Sequence, residues 1–315
     1  MRRSRIVLLV LSALACWGLV VASASAASAA PPSYVALGDS YSSGVGTRSY
    51  LADGSSCQRS VYAYPSLLAA ARGYALTFRA CSGATVADVT ALQLDALGAD
   101  TAYVTVSVGG NDAGFASTLS TCALPSWLSN CSAAVTKARG VITGQLPSRL
   151  ATLYASIRAR APRATVVVVG YPRIFNGTDC NALTWFSAGE ETKLNATADL
   201  LAATTRAAAT TAGFQFVDAV PAFGGHAVCD RTEWINGLSA PISESYHPNR
   251  AGQASGYLPL VGAAITGAPV VVSADVLARA AASTDALAAQ QRAYAGRDAA
   301  ITPKSFLPPA PSVGR

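Results

Sequence analysis

Short apolar runs alternate with longer segments of helical composition along most of the chain. The apolar runs are Tyr34–Gly38, Ala75–Ala80, Tyr103–Val108, Thr165–Gly170 and Phe214–Val217. The helical segments are Ala63–Arg72, Val86–Leu97, Ala133–Arg160 and Ala188–Ala212, the last preceded by a capping-box pattern of Ser187 and Glu190. Val166–Val169 is continuously β-branched, which is typical of a strand covered on both faces. The alternation predicts an α/β sheet with right-handed crossovers.

The two ends of the chain differ from this pattern. Three arginines in residues 2–5 precede an apolar run from Ile6 to about Val21, and Ala-x-Ala cleavage options end at Ala24, Ala26 and Ala29. This predicts a signal peptide over residues 1–30 and a secreted, extracellular protein, with the general and the twin-arginine export routes both left open. We expect one core domain over residues 31–268.

The extension over residues 269–315 is Ala-rich at first and Pro-rich at its end. Its first part has helical composition, and its last dozen residues are expected to be disordered. It contains no motif that indicates chemistry. A packing or solubilising role is therefore the expectation for it.

Charge argues against a nucleic-acid partner. Without the three leader arginines, Lys+Arg falls from 23 to 20 against 17 Asp+Glu, so the mature net charge is about +3. That charge is small and dispersed along the chain, whereas nucleic-acid binding needs a concentrated basic patch. No apolar stretch beyond the leader is long enough to span a bilayer.

Cysteine usage indicates disulfides rather than a metal site. The six mature cysteines are Cys57, Cys81, Cys122, Cys131, Cys180 and Cys229. An even count in an exported chain favours disulfides, and no Cys-x-x-Cys or His-x-x-x-His pattern occurs, so no metal is expected. Six cysteines allow fifteen pairings. Disulfides between cysteines that are neighbours in sequence would link loops that flank successive strands. This predicts the pairs Cys57–Cys81, Cys122–Cys131 and Cys180–Cys229.

Polar residues follow the ends of three predicted strands and occupy one late loop. The four blocks are Gly38-Asp39-Ser40, Cys81-Ser82-Gly83-Ala84, Gly109-Gly110-Asn111-Asp112 and Ser245-Tyr246-His247-Pro248. Each block taken alone is also typical of an ordinary turn or helix cap. In parallel sheets, however, ligands bind beyond the carboxyl ends of the strands, where the first three blocks would lie together.

In order and in local sequence, these blocks resemble the GDSL-type SGNH hydrolase family over residues 34–266. The strings Gly-Asp-Ser-Tyr-Ser-Ser-Gly and Gly-Gly-Asn-Asp-Ala-Gly-Phe are most similar to those of secreted bacterial lipases and esterases with three disulfides. The resemblance implies a flavodoxin-like, three-layer α/β/α fold with a mainly parallel five-stranded sheet. It also implies a serine carboxylic ester hydrolase that needs no metal or organic cofactor.

The resemblance implies a role for each block. Ser40 would be the nucleophile and His247 its base, since a serine hydroxyl needs an imidazole to take its proton. The backbone N–H groups of Ser40 and Gly83 and the side-chain amide of Asn111 would form the oxyanion hole. The other histidine, His226, is expected to be structural. The absence of Gly-x-Ser-x-Gly argues against an α/β-hydrolase fold.

The sequence offers two candidates for the group that orients His247. Many family members place aspartate three residues before the histidine, whereas this chain has Glu244 there. Close relatives orient the histidine with a backbone carbonyl, which would be that of Ser245. We expect this dyad, with Glu244 as the alternative third member, and we expect Asp112 to be a structural acceptor.

The expected activity is lipase or esterase action on fatty acyl esters through an acyl-enzyme. Phospholipase A, thioesterase or carbohydrate deacetylase activity on the same scaffold is the alternative, and a non-catalytic secreted binding protein is the rival from another class. A lipid or small ester is the expected partner, with transient contact at a lipid interface, no nucleic acid and a monomeric state. Sequence leaves the acyl chain length open.

Overall fold

The structure, a computed structural model, describes residues 30–308, so the predicted signal peptide up to residue 29 lies outside the described residues. A parallel sheet forms the centre of the domain, with strand order β2-β1-β3-β4-β5. Its strands are β1 (Ser33–Gly38), β2 (Ala75–Phe78), β3 (Tyr103–Ser107), β4 (Thr165–Val169) and β5 (Gln215–Val217). The predicted α/β fold with a five-stranded parallel sheet is confirmed.

Helices cover both faces of the sheet, which explains why β4 is an uninterrupted apolar run. The helices are α1 (Ser40–Ser43), α2 (Tyr64–Arg72), α3 (Val86–Asp88), α4 (Phe115–Cys122), α5 (Cys131–Gly144), α6 (Leu146–Arg160), α7 (Ala188–Thr211), α8 (Ala219–Ala222), α9 (Leu258–Thr266), α10 (Ala274–Ala282), α11 (Thr284–Arg292) and α12 (Ala295–Asp298). Helices α2 and α9 pack together on one face, while α5, α6 and α7 pack together on the other. Every helix within residues 30–308 is too short or too polar to cross a membrane.

Two predicted helices differ in detail from the structure. The segment expected as one helix over Ala133–Arg160 is two helices, because the chain breaks at Gln145 and Pro147 stands in the first turn of α6. Proline is accommodated in a first turn but not in a helix interior. The segment Val86–Leu97 begins as α3, continues as a π-helix over Val89–Gln93 and ends as a 3₁₀ turn. The Ser187–Glu190 capping box is present at the start of α7.

Three disulfides tie loops to neighbouring elements. They join Cys57 to Cys81, Cys122 to Cys131 and Cys180 to Cys229, the pairs that neighbour-to-neighbour joining predicts. The first bridge fixes the loop between α1 and α2 to the chain that leaves β2. That chain carries Gly83 two residues later, so the bridge supports a turn at the carboxyl edge of the sheet.

The C-terminal extension packs on the domain as far as it is described. Helix α10 lies against α2, and α11 lies against β2. Beyond α12, Ile301 and Phe306 are buried at 2% exposure each. The expected disorder of the last dozen residues is therefore wrong for residues 304–308, because an aromatic side chain in that stretch is covered by the core. Residues 309–315 lie outside the described part of the chain.

A buried ion cluster fixes the extension to the domain. The Asp298 carboxylate pairs with Arg59 at 2.8 Å and with Arg79 at 3.1 Å, and all three side chains are inaccessible to solvent. Arg59 also pairs with the buried Asp53 at 2.9 Å. Arg79 lies over the ring of Tyr294 at 3.8 Å from its centroid. The two arginines thus depend on a carboxylate that comes from the far end of the chain.

Replacing Asp298 with alanine should cost about 3 kcal/mol or more of unfolding free energy, because it leaves buried guanidinium groups with too little negative charge. Urea denaturation followed by circular dichroism measures this loss. Asp285→Ala is the matched control, since Asp285 is an exposed acid in the same extension, and it should change stability by less than about 0.5 kcal/mol. A loss below about 1 kcal/mol in Asp298→Ala would contradict the role assigned to the cluster.

Candidate active site

Ser40 lies at the carboxyl end of β1, where the chain turns directly into α1. Gly38 has φ +123°, and a Cβ there would stand 2.3 Å from Ser107 O, so only glycine fits between β1 and β3. The Asp39 N–H donates to Ser107 O at 3.0 Å. The Asp39 carboxylate caps α1 by accepting from Tyr41 N at 3.0 Å. Main-chain and capping bonds therefore fix Ser40 at the edge of the sheet.

The His247 imidazole bridges Ser40 and a backbone carbonyl. Its Nε2 lies 2.9 Å from Ser40 Oγ, and its Nδ1 lies 3.0 Å from Ser245 O. Because a carbonyl oxygen can only accept, Nδ1 carries the proton and Nε2 is left as the acceptor for the serine hydroxyl. This is the tautomer that a general base needs.

The loop that carries His247 is held by its own backbone. Tyr246 adopts φ +61°, a conformation that brings the Ser245 carbonyl beneath the imidazole of His247. Asn236 exchanges main-chain bonds with this loop, accepting from Tyr246 N at 2.9 Å and donating to His247 O at 2.9 Å. The Tyr41 hydroxyl donates to Tyr246 O at 2.8 Å, which joins the loop to α1.

Glu244 is buried, but its carboxylate makes no hydrogen bond to His247. Oε1 accepts from the Tyr50 hydroxyl at 2.5 Å, and Oε2 lies 3.5 Å from Arg48 Nε. The backbone carbonyl of Glu244 accepts from His247 N at 3.3 Å. In this arrangement the side chain holds the start of the loop, and the Ser245 carbonyl faces the imidazole.

Burial keeps His247 neutral and Asp39 only weakly acidic. Removal from water lowers the pKa of His247 to about 4, and the bond to the Ser245 carbonyl offsets part of that shift. Burial raises the pKa of Asp39 to about 7, against the bonds from the Tyr171 hydroxyl and Tyr41 N that favour its charged form. The imidazole is therefore unprotonated, and able to accept a proton, over the whole neutral range.

The three expected oxyanion donors lie on the turns that follow the adjacent strands β1, β2 and β3. Among the described residues, neither Ser40 N–H nor Gly83 N–H has a hydrogen-bond acceptor. Asn111 Nδ2 donates to Ala84 O at 3.0 Å, which ties the Asn111 turn to the Gly83 turn. One amide hydrogen of Asn111 remains available for a substrate oxygen.

Asp112 supports the Asn111 turn. Its carboxylate accepts from Val86 N at 2.9 Å and from Arg149 Nη1 at 3.2 Å. Neither contact involves Ser40 or His247, which fits the structural role expected for Asp112. The Tyr171 hydroxyl donates to Asp39 Oδ2 at 2.5 Å and accepts from Gly110 N at 3.3 Å, linking the turns after β1 and β3.

An apolar cavity opens beside Ser40 and His247. Ser40, Asn111 and His247 line one end, and its walls come from α4, α5 and α7, including Phe115, Leu119, Ile142, Leu194 and Leu201. Lys304 and Phe306 of the C-terminal extension line it as well. Sequence analysis missed these last two residues. The one local signal was a lone aromatic residue within a proline-rich stretch.

His226 and one cysteine cluster lie outside the catalytic constellation. His226 stacks on Trp234 with ring centroids 3.7 Å apart, and its Nδ1 contacts Thr232 O at 2.8 Å, as suits a structural histidine. Cys180, Cys229 and Glu233 present ligand atoms within 4.8 Å of one another. Both sulfurs are bonded to each other in a disulfide, so this group does not suit a metal ion.

Comparison with known proteins agrees with the geometry. The model of the GDSL-like lipase/acylhydrolase family matches residues 36–254. A lipase from Streptomyces rimosus is 44% identical over 263 residues, which cover 82% of this chain and 95% of that protein. The crystal structure of an extracellular lipase from the same species aligns with a TM-score of 0.70 at 43% identity, over 74% of this chain and 99% of that one.

A phospholipase A1 structure from Streptomyces albidoflavus NA297 aligns with a TM-score of 0.71 at 43% identity, over 74% of this chain and 99% of that one. The family resemblance expected from the sequence is therefore confirmed, and with it the expected ester hydrolase. The chain belongs to the GDSL-like lipase/acylhydrolase family.

Proposed function

We propose that the protein hydrolyses fatty acyl esters, as a lipase or esterase, through an acyl-enzyme on Ser40. The observation that carries the proposal is the position of His247, which contacts Ser40 Oγ and Ser245 O at the mouth of an apolar cavity. A hydroxyl, a neutral base and a place for an acyl chain are thus brought together. The predicted signal pattern and three disulfides support action outside the cell, and one chain supplies every site residue, which supports a monomer.

The reaction follows from the hydrogen bonds. His247 Nε2 takes the proton of Ser40 Oγ while that oxygen bonds to the ester carbonyl carbon. The carbonyl oxygen becomes negative and accepts bonds from Ser40 N–H, Gly83 N–H and the Asn111 amide. The carbon–oxygen bond to the alcohol then breaks, and the proton on Nε2 goes to the departing alkoxide. Water, activated in turn by Nε2, releases the fatty acid and restores Ser40.

The positive charge that His247 carries after it takes the serine proton is stabilised without a carboxylate partner. The Ser245 carbonyl accepts from Nδ1–H throughout, and its dipole stabilises positive charge on the ring. Because the carbonyl belongs to the backbone, no side chain has to be ordered for it to act. We therefore propose a Ser40–His247 dyad, with Glu244 as a positioning residue.

The apolar walls favour a long acyl chain over an acetyl group. Side chains from α4, α5 and α7 offer a dry surface for a hydrocarbon chain, for which each buried methylene contributes about 0.8 kcal/mol. An acetyl ester would leave this surface unused. Phospholipase A activity is the second candidate, since a phospholipid presents the same acyl ester and one 43% identical relative carries that name.

Four exposed apolar side chains near the cavity support contact with a lipid interface. They are Trp127 (79% exposed), Leu128 (65%), Leu183 (61%) and Trp185 (46%), here called the apolar rim. The main-chain N–H of Trp185 donates to Ala123 O at 3.0 Å, which places the loop that carries Trp185 beside the loop that follows α4. Ala123 directly follows α4, a wall of the cavity. Tryptophan suits the boundary between water and lipid because its ring is apolar and its N–H is polar.

Removing the nucleophile or the base should nearly abolish activity. Ser40→Ala and His247→Ala should each lower kcat/KM for p-nitrophenyl butyrate by at least about 10³-fold, because each removes a member of a cooperating pair. His226→Ala is the matched control and should retain most activity. The His226 ring stacks on Trp234 and bonds to Thr232 O, and neither contact involves Ser40 or His247. Retention of a tenth of the activity in Ser40→Ala, with circular dichroism unchanged, would overturn the proposed function.

Glu244→Gln distinguishes the dyad from a triad. The variant should keep at least about a third of kcat, because the glutamine can still accept from Tyr50 and the Ser245 carbonyl still orients His247. Loss of a catalytic carboxylate costs up to about 10⁴-fold. A fall of about a hundredfold or more in a folded variant would show that Glu244 completes a triad. Initial rates with p-nitrophenyl butyrate and a melting curve decide between the two.

The role of the apolar rim at a lipid interface can be tested by comparing hydrolysis of an emulsified substrate with hydrolysis of a dissolved one. The double variant Trp127→Ser, Trp185→Ser should hydrolyse an emulsified triacylglycerol about tenfold more slowly or worse, because two indole rings no longer enter the lipid. Its rate on dissolved p-nitrophenyl acetate should stay within about twofold. Val271→Ser, a 76% exposed residue after α9, is the control and should change neither rate. Equal rates on the emulsion for the double variant and the unaltered protein would refute contact through this rim.

A further inference from the structure

The last described stretch of the chain crosses the proposed active site. We call residues Thr302–Leu307 the C-terminal strap. Its start lies on Gly83, because a Cβ on that glycine would stand 2.3 Å from Thr302 O and 2.7 Å from Pro303 Cα. Its end lies on α4, where the Leu307 N–H donates to Ser120 Oγ at 2.8 Å. The strap therefore runs from the proposed oxyanion hole to a wall of the acyl cavity.

The strap is anchored at both of its ends. Upstream, Asp298 is fixed by its buried pairs with Arg59 and Arg79, and Ile301 is buried. The contact with Gly83 and the bond to Ser120 hold the remainder. A segment anchored at its start and at its end, with a buried aromatic residue between, can serve as a wall of the cavity.

Phe306 is the buried residue of the strap among those that line the acyl cavity. It is 2% exposed although it lies near the end of the described chain. Its ring meets Tyr246, the neighbour of His247, edge-on at 4.9 Å between centroids. It lines the same cavity as Ser40 and His247. An acyl chain bonded to Ser40 and lying in that cavity would therefore contact this ring.

We propose that the strap closes one side of the acyl cavity and that Phe306 limits the size of the acyl group that the site accepts. The inference rests on the proposed function of the site. The matched family segment ends at residue 254, so this wall comes from a part of the chain outside that segment. Chain-length preference would then be set by the extension as well as by α4, α5 and α7.

The experiment compares a long and a short ester in strap variants. Phe306→Ala should raise the ratio of kcat/KM for p-nitrophenyl laurate to that for p-nitrophenyl butyrate by about tenfold, since one methylene in a close-fitting pocket changes selectivity by about tenfold or more. Phe306→Leu, which keeps the site apolar and filled, should move the ratio in the same direction by a smaller factor. Leu307→Ala is the control from the same strap, because Leu307 is 68% exposed, and its ratio should stay within about twofold.

A ratio is the appropriate readout, because a merely structural role would lower both rates together. An unchanged or lowered ratio in Phe306→Ala and Phe306→Leu, with both proteins folded by circular dichroism, overturns the inference. Failure of the proposed function looks different, because the unaltered protein would then lack Ser40-dependent hydrolysis of either ester. If only the strap proposal fails, the Phe306 variants still hydrolyse both esters, and their laurate-to-butyrate ratio equals that of the unaltered protein.

Discussion

The site depends on one constraint, which is that neighbouring parallel strands must end at the same edge of a sheet. Strands β2, β1 and β3 are adjacent, and Gly83, Ser40 and Asn111 follow their ends. Their relative positions are set by main-chain bonds, such as Asp39 N to Ser107 O and Cys81 N to Gly38 O, both 3.0 Å. Three of the four blocks thus inherit their geometry from the sheet, and only the histidine loop needs separate anchoring.

That loop joins a catalytic centre that carries little charge. Burial lowers the pKa of His247 and raises that of Asp39, so both groups are pushed towards their neutral forms. The groups proposed to face a reacting ester are backbone N–H groups and an amide, while a carbonyl dipole faces the imidazole from behind. Such groups stabilise charge that appears during reaction without attracting ions to the resting site. A site of this kind is compatible with an apolar acyl cavity directly beside it.

Sequence predicted the parts of this structure that local patterns determine. The strand runs, the Ser187–Glu190 cap and the polar blocks at strand ends each have a signature within about ten residues, and the sheet constraint then brings the blocks together. The break at Gln145 had a local signal in Gly144 and Pro147, but the helical composition on both sides of it outweighed that signal in the prediction. The extension has the helices and one of the two roles expected of it, packing, but its ion cluster was missed because Asp298 meets its partners across 239 and 219 residues of sequence. Contacts of that separation leave no pattern in a single chain.

The buried pairing of Asp298 also bears on the order in which the protein is made. A ribosome produces the chain from its N-terminus, so Ser40, Arg59 and Arg79 exist long before their distant carboxylate does. Until residue 298 has been synthesised, the two guanidinium groups have only the buried Asp53 and the partly exposed Asp95 to balance them, so burying both is disfavoured. The loops that carry the arginines, and the Gly83 turn beside them, are therefore expected to close fully only after the segment around residue 298 has packed against them.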